Sequence, residues 1–322
     1  MRLPEQLQQQ LRELIQQAPE SELRRASQEL TKVYRGETKF RPMSSAAERA
    51  AYIAVRMPAT YAAVLSVMEE AAHTVPNFAP ISVLDLGSGP GTALWAAVET
   101  FPSLGAAQAV ERDANLAELG KGFVLSSDLP LLRTAKWDIQ DLRTWRGEKK
   151  HDLVVASYAL GELTPHERHS LISRAWESCQ GILAVVEPGT RAGFGVVVEV
   201  RQQLLELGAS LAAPCPHSQE CPMKAAGDWC HFSVRVERSA EHRRLKQGEL
   251  GYEDEKFSYV IASRLPARAA QSRVVRHPLR FSGHTKLQLC TVQGLQERTV
   301  TRSEKDLYRK VKRIDWGSAW EE

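Results

Sequence analysis

A chain of 322 residues with 43% hydrophobic and 25% charged residues has ordinary soluble globular composition, long enough for one decorated domain or two modest ones. No window approaches ~18 uninterrupted apolar residues, which argues against a membrane-spanning helix. The net charge of +3 conceals an asymmetry, since residues 231–322 carry 19 Lys/Arg against 12 Asp/Glu. Within that stretch, Phe257 to Gln296 holds Arg264, Arg268, Arg273, Arg276, Arg280 and Lys286 and no acid, which predicts either a solvated basic surface or a phosphate-binding face.

Met1–Gln17 predicts an amphipathic helix, with Leu3, Leu7, Leu11 and Ile15 at i, i+4 spacing. Glu5, Glu13 and the lack of an apolar core make it unlike a signal or transit peptide. A polar stretch follows, and then Ser44–Ala72 shows helical spacing until Pro58, which is expected to interrupt it. From Ile81 the pattern changes to short apolar runs, Ile81–Leu86, Ala107–Glu111, Leu131–Trp137, Asp152–Ser157 and Ile182–Glu187. They alternate with helical stretches at Thr92–Thr100, Asn115–Leu125, Pro165–Cys179 and Ala192–Leu207, as in a doubly wound parallel sheet. The expected organisation is a helical region 1–78, a Rossmann-like core 79–208, a cysteine-rich insertion 209–256, and last strands with a basic tail over 257–322.

The strongest motif is Val83-Leu84-Asp85-Leu86-Gly87-Ser88-Gly89-Pro90-Gly91-Thr92, an apolar strand running into a glycine loop that opens a helix. Its spacing is G-x-G-x-G, not the G-x-G-x-x-G of dinucleotide folds, which favours S-adenosylmethionine over NAD. Glu111, about 20 positions on, stands where a carboxylate meets ribose hydroxyls. Asp138 is expected at the adenine amino group and Asp85 at the methionine amine, with Ser88 in the loop and Ser157 at the end of the fourth run completing the set. The fold class expected is therefore α/β, a class I S-adenosylmethionine-dependent methyltransferase sheet, with Phe257–Ser263 and Lys286–Val292 as its closing antiparallel pair.

After the fourth run the sequence reads Ala156-Ser157-Tyr158-Ala159-Leu160-Gly161-Glu162-Leu163, without the Asn/Asp-Pro-Pro-aromatic tetrapeptide of amino-group methylases. Tyr158 and Glu162 are the catalytic candidates; Glu162 is either a general base or a first-turn carboxylate favoured by the helix dipole. No cysteine follows the fourth or fifth run to act as a nucleophile, and Cys179 reads as core packing at a helix end. Cys215, Cys221 and Cys230 fall within sixteen residues, each near a proline or histidine. That spacing suits a metal site whose fourth ligand is His217, His231 or Cys290, with iron-sulfur and zinc both open.

Tyr52–Val64, Asp85–Gly91, Leu160–Leu163, Val186–Thr190, Asp228–Phe232, Lys256–Tyr259, Gly283–Thr291 and Tyr308–Trp316 together resemble the small-ribosomal-subunit methyltransferase-like family. The resemblance implies a 4Fe-4S cluster held by Cys215, Cys221, Cys230 and Cys290. It also implies a role in ribosome biogenesis or translation through contact with small-subunit rRNA, by a cytoplasmic bacterial counterpart, monomeric and without a membrane partner. Two activities are expected of such a chain: methyl transfer from S-adenosylmethionine to rRNA, or non-catalytic assembly work by an RNA-binding protein with structural zinc.

Overall fold

The computed structural model describes residues 1–34, 43–246 and 250–322. Leu7, Leu11 and Ile15 put one apolar stripe on α1 (Glu5–Gln16), and that stripe is buried. α2 (Glu20–Tyr34) is the polar stretch, anchored by buried Leu23 and Ala26. α3 (Ala46–Thr74) opens at Ser45, whose hydroxyl accepts the Glu48 N–H, and runs 29 residues without a break. Pro58 therefore does not interrupt the helix: it is buried among Met57, Ala59 and Tyr61, and packing over the whole length outweighs one lost backbone bond. Among the described residues α3 alone is long and apolar enough to cross a membrane, but 83% of its most apolar window is buried inside the protein.

The α/β region then runs β1 (Ser82–Leu86), α4 (Thr92–Thr100), β2 (Ala106–Glu111), α5 (Ala114–Leu125), α6 (Pro130–Arg133), β3 (Lys136–Ile139), β4 (His151–Ser157), α7 (Pro165–Glu177), β5 (Cys179–Pro188) and α8 (Arg191–Glu206). It continues through β6 (Ser210–Ala213), α9 (Pro222–Ala225), β7 (Phe232–Glu237), α10 (Ala240–Lys246) and β8 (Tyr252–Ser263). The sheet order is β3-β2-β1-β4-β5-β8-β6, parallel from β3 to β5 and antiparallel at β8. This is the class I methyltransferase topology. It reverses between β1 and β4, which opens a cleft at the carboxyl ends of those strands.

Four expectations are corrected. The strand expected over Leu131–Trp137 begins only at Lys136, because Pro130 starts the helical turn α6 and Leu132 is its buried residue. Cys179 does not end a helix; it opens β5, buried. The stretch 209–256 is not wholly an insertion, since β6 and β7 both pair with β8. Lys286–Val292 does not close the main sheet.

That last segment belongs to a second antiparallel sheet: β9 (Ser272–Val274), β10 (Leu279–Arg280), β11 (His284–Thr291), β12 (Gly294–Thr301) and, after α11 (Lys305–Val311), β13 (Ala319–Trp320). The reason is a separate core, in which Val274, Leu287, Leu289, Val300, Val311 and Trp320 bury one another. Phe257–Ser263 does close the main sheet as the antiparallel strand, and Ser210–Ala213 takes the edge that Lys286–Val292 was expected to fill.

Candidate functional site

The glycine loop hangs from the end of β2, with the Gly87 and Ser88 N–H groups both donating to Val110 O at 2.9 and 3.0 Å. Gly87 has φ +73°, and a β-carbon there would stand 2.5 Å from that of Ala159, so only glycine fits. Gly89 has φ +54° with nothing within 4 Å of its would-be β-carbon, so its open side is space for a ligand. Gly91, also left-handed, caps α4.

Gly87, Ser88 and Gly89 form one wall of a cleft of ≈ 330 Å³, lined also by Glu111, Arg112, Gln140, Asp141, Ser157, Tyr158, Glu162 and Glu187. Glu111 accepts the Gly89 N–H and the Asp113 N–H, each at 2.8 Å, one on each oxygen, which leaves lone pairs free for hydroxyl donors. Beneath the loop Asp85 is wholly buried, and neither of its carboxylate oxygens has a donor among the described residues. Burial, with the Glu111 carboxylate nearby, pushes its pKa up to about 8. The buried Ser88 hydroxyl is likewise without a partner among the described residues.

Of the cofactor candidates, Gly87, Ser88, Gly89, Glu111 and Ser157 thus line the cleft, whereas Asp85, on the strand that leads into the loop, and Gly91, the cap of α4, are not among its lining residues. Asp138 does not line it either: Gln108 Nε2 donates to its Oδ2 at 2.5 Å along the sheet, and the cleft wall at that strand end is Gln140 and Asp141. The difference arises because β3 ends at Ile139, beyond the apolar run, so the residues that follow the strand are Gln140 and Asp141.

Tyr158, at φ +55°, donates its hydroxyl to Glu255 Oε1 at 2.9 Å, and Arg56 Nη2 meets the same oxygen at 3.0 Å. The Arg56 guanidinium also lies 5.4 Å from the Tyr158 ring centre. Burial, reinforced by Glu255, holds the phenol well above its ordinary pKa, so it stays protonated. Glu162 is bridged to Arg112 at 2.6 Å across the cleft; burial raises its pKa and Arg112 opposes the rise. Glu187, buried at the end of β5, accepts the Leu160 N–H at 2.9 Å and has a pKa raised to about 7 by burial. Arg56, Glu255 and Glu187 escaped the sequence reading, although an arginine in an apolar helix and a glutamate closing an apolar strand were visible signals.

The structure gathers Cys215, Cys221, Cys230 and Cys290 around one cavity of ≈ 40 Å³. Cys290 comes from β11 of the second sheet, and its Sγ lies 3.6 Å from His217 Nε2. Among the described residues no three His, Cys, Asp or Glu side chains are grouped so as to hold one metal ion. Two buried arginines flank the thiols. Arg201 donates to Cys215 Sγ (3.3 Å) and to the carbonyls of His217 and Gln219 (both 2.8 Å), and Arg273 donates to Pro214 O (3.1 Å) and Gly317 O (2.9 Å) and pairs with Glu70. Burial raises the Cys215, Cys230 and Cys290 thiols, the last to about 12, and their mutual proximity adds to the rise at Cys230 and Cys290.

Five of the six basic residues in the run 257–296 are engaged by partners within the protein, and one of them, Arg273, is buried. Arg264 donates to the carbonyls of Trp176 and Cys179, Arg273 is buried on Glu70, Arg276 pairs with Asp228, Arg280 with Asp315 and Lys286 with Glu297. The run is not one free phosphate-binding face.

A family model described as mitochondrial small ribosomal subunit Rsm22 matches residues 46–321. The human mitochondrial ribosome assembly protein METTL17 is 27% identical over 83% of this chain and 61% of its own length. The mitochondrial Rsm22-cox11 tandem protein 2 of Schizosaccharomyces pombe is 24% identical, over 83% of this chain and 42% of its own. The chain thus spans between about two fifths and three fifths of these relatives. Among solved structures, the magnesium protoporphyrin IX methyltransferase of Synechocystis PCC 6803 is 13% identical with a TM-score of 0.43, covering 73% of this chain and 90% of that one. The plantazolicin methyltransferase BpumL is 13% identical with a TM-score of 0.42, over 80% and 98%.

Proposed function

From the fact that this chain belongs to the Rsm22 family, we propose that it is an S-adenosylmethionine-binding, methyltransferase-like protein that acts on the small ribosomal subunit and its rRNA. The observation that carries the cofactor is the pair of orphaned groups under the glycine loop, the Asp85 carboxylate and the Ser88 hydroxyl. A buried carboxylate without a donor is costly, and a cationic ligand group with N–H donors relieves it. S-adenosylmethionine supplies an ammonium for Asp85, a carboxylate for the N–H groups of the loop, and ribose hydroxyls for Glu111. Calorimetric titration of the chain with S-adenosylmethionine tests this, and no heat at millimolar cofactor refutes it.

We further propose that the four thiols hold a 4Fe-4S cluster. A four-iron cluster takes one thiolate on each of four separate irons, so its ligands ring a cavity; zinc needs its ligands drawn to one point. Arg201 and Arg273 offset the negative charge of four bound thiolates. When bound, the cluster cross-links the Cys215–Cys230 loop to β11. The observation behind this reading is that the four cysteines line one cavity.

Whether methyl transfer follows binding turns on the cleft mouth. Both candidate groups are engaged, Tyr158 with Glu255 and Glu162 with Arg112, which favours a second reading in which the cofactor fold serves assembly without chemistry. Mapping methylated small-subunit nucleotides with and without the gene separates the two.

A further inference from the structure

One face of the second sheet lines the thiol cavity at its Cys290–Arg273 end and is turned to solvent at its His284 end. On β11 Thr285, Leu287 and Leu289 are buried, so by alternation His284, Lys286 and Gln288 point outward. The register sets Leu279 of β10 opposite Lys286, and the Phe281 N–H donates to His284 O at 2.9 Å, extending the pairing by a step. Leu279 and Phe281 therefore share the outward face, 56% and 51% exposed. The Phe281 ring lies nearly parallel to the His284 imidazole, with centres 4.6 Å apart and planes 14° from each other. On the other side β12 places Thr299 and Thr301 opposite Lys286 and His284. Arg302 follows, exposed, its N–H on Gly283 O and its guanidinium without an ion pair among the described residues.

A half-exposed phenylalanine stacked flat on a histidine, on an open sheet face, is a plane and not a pocket. Apolar anchors of protein partners fill pockets, whereas nucleic-acid bases stack on planes. Of the eleven Lys/Arg in residues 272–322, Arg273, Arg276, Arg280, Lys286 and Arg298 are paired with carboxylates, while Arg302, Lys305, Lys312 and Arg313 are exposed without an ion pair among the described residues and supply the matching charge. We propose that the Phe281–His284 pair is a stacking platform for an unpaired RNA base, with Arg302 taking a flanking phosphate. This rests on the reading above that the partner is rRNA, and it narrows the contact to single-stranded RNA.

The test is fluorescence anisotropy with the full chain, using a labelled unstructured oligouridine and a labelled RNA duplex. Phe281→Ala should weaken oligouridine binding about tenfold and leave duplex binding unchanged, while Phe281→Trp retains affinity. Arg302→Gln should lower the log-log salt slope by about 0.7, one phosphate on a single strand. Because both side chains are exposed, the variants should melt with wild type. Oligouridine affinity unchanged in Phe281→Ala overturns the platform but leaves the RNA reading standing. Absence of binding to either RNA by wild type overturns both. A Phe281→Ala variant that binds RNA normally yet loses a ribosomal protein assigns the face to a protein partner and overturns the proposal.

Discussion

Replacing Asp85 with asparagine removes a buried carboxylate whose pKa moves from 3.8 to about 8 on folding. A carboxyl raised in the native state binds its proton more tightly there than in the unfolded chain. Its contribution is therefore most favourable below pH 4, and is lost as pH rises from about 4 to 8. At 1.36 kcal/mol per pH unit, the ligand-free wild type should lose about 2 kcal/mol relative to Asp85→Asn between pH 6 and pH 8. Other titrating groups are common to both proteins and cancel in the difference. Urea denaturation of both at the two pH values measures it. S-adenosylmethionine should reverse the trend, because its ammonium stabilises the ionised carboxylate. Wild-type affinity should then rise up to about tenfold per unit below pH 8, with proton release, and the variant should bind weakly at every pH. A stability gap equal at pH 6 and pH 8 refutes the account of Asp85 as a carboxyl held neutral by burial.

Glu111→Ala should weaken S-adenosylmethionine binding by about 1–3 kcal/mol, and Gly89→Asp should abolish it by filling the open side of the loop; calorimetry reads both. Protein purified without oxygen should be brown, with iron and acid-labile sulfide at about four each. Cys215→Ser, Cys221→Ser, Cys230→Ser or Cys290→Ser should lose the colour and lower the melting temperature, and zinc without sulfide would refute the cluster. Arg273→Glu should destabilise the fold by about 3–5 kcal/mol in chemical denaturation, because it sets a second carboxylate against Glu70 in a buried site.

The parallel half of the fold was legible because its signals are local. A strand, a glycine loop and a helix start lie within ten residues at Val83–Thr92, and each apolar run from β1 to β5 is bounded by turn residues. Phe257–Ser263 was legible as the closing antiparallel strand, but two misplacements, at Ser210–Ala213 and Lys286–Val292, depended on distant pairing. Ser210–Ala213 is only four residues, three of them small, and nothing local marks it as the edge that β8 reaches after some fifty residues of excursion. Lys286–Val292 has strand character, but its partners β9 and β12, not its own composition, decide which sheet it joins.

Charge shows the same limit in its strongest form. Along the chain, Arg273, Arg276 and Arg280 look like one basic stripe, and their neighbours offer no acid to suggest otherwise. Their partners lie far away in sequence: Glu70 is 203 residues from Arg273, and Asp228 is 48 from Arg276. A guanidinium near thiols and carbonyls is worth most where water is excluded, so the arginines that brace the cysteine loop are the ones least free to meet phosphate. Phosphate contact must then fall to exposed cations lacking an internal carboxylate, which is why Arg302, beside the Phe281–His284 pair, carries more of the RNA argument than the longer and more conspicuous acid-free run.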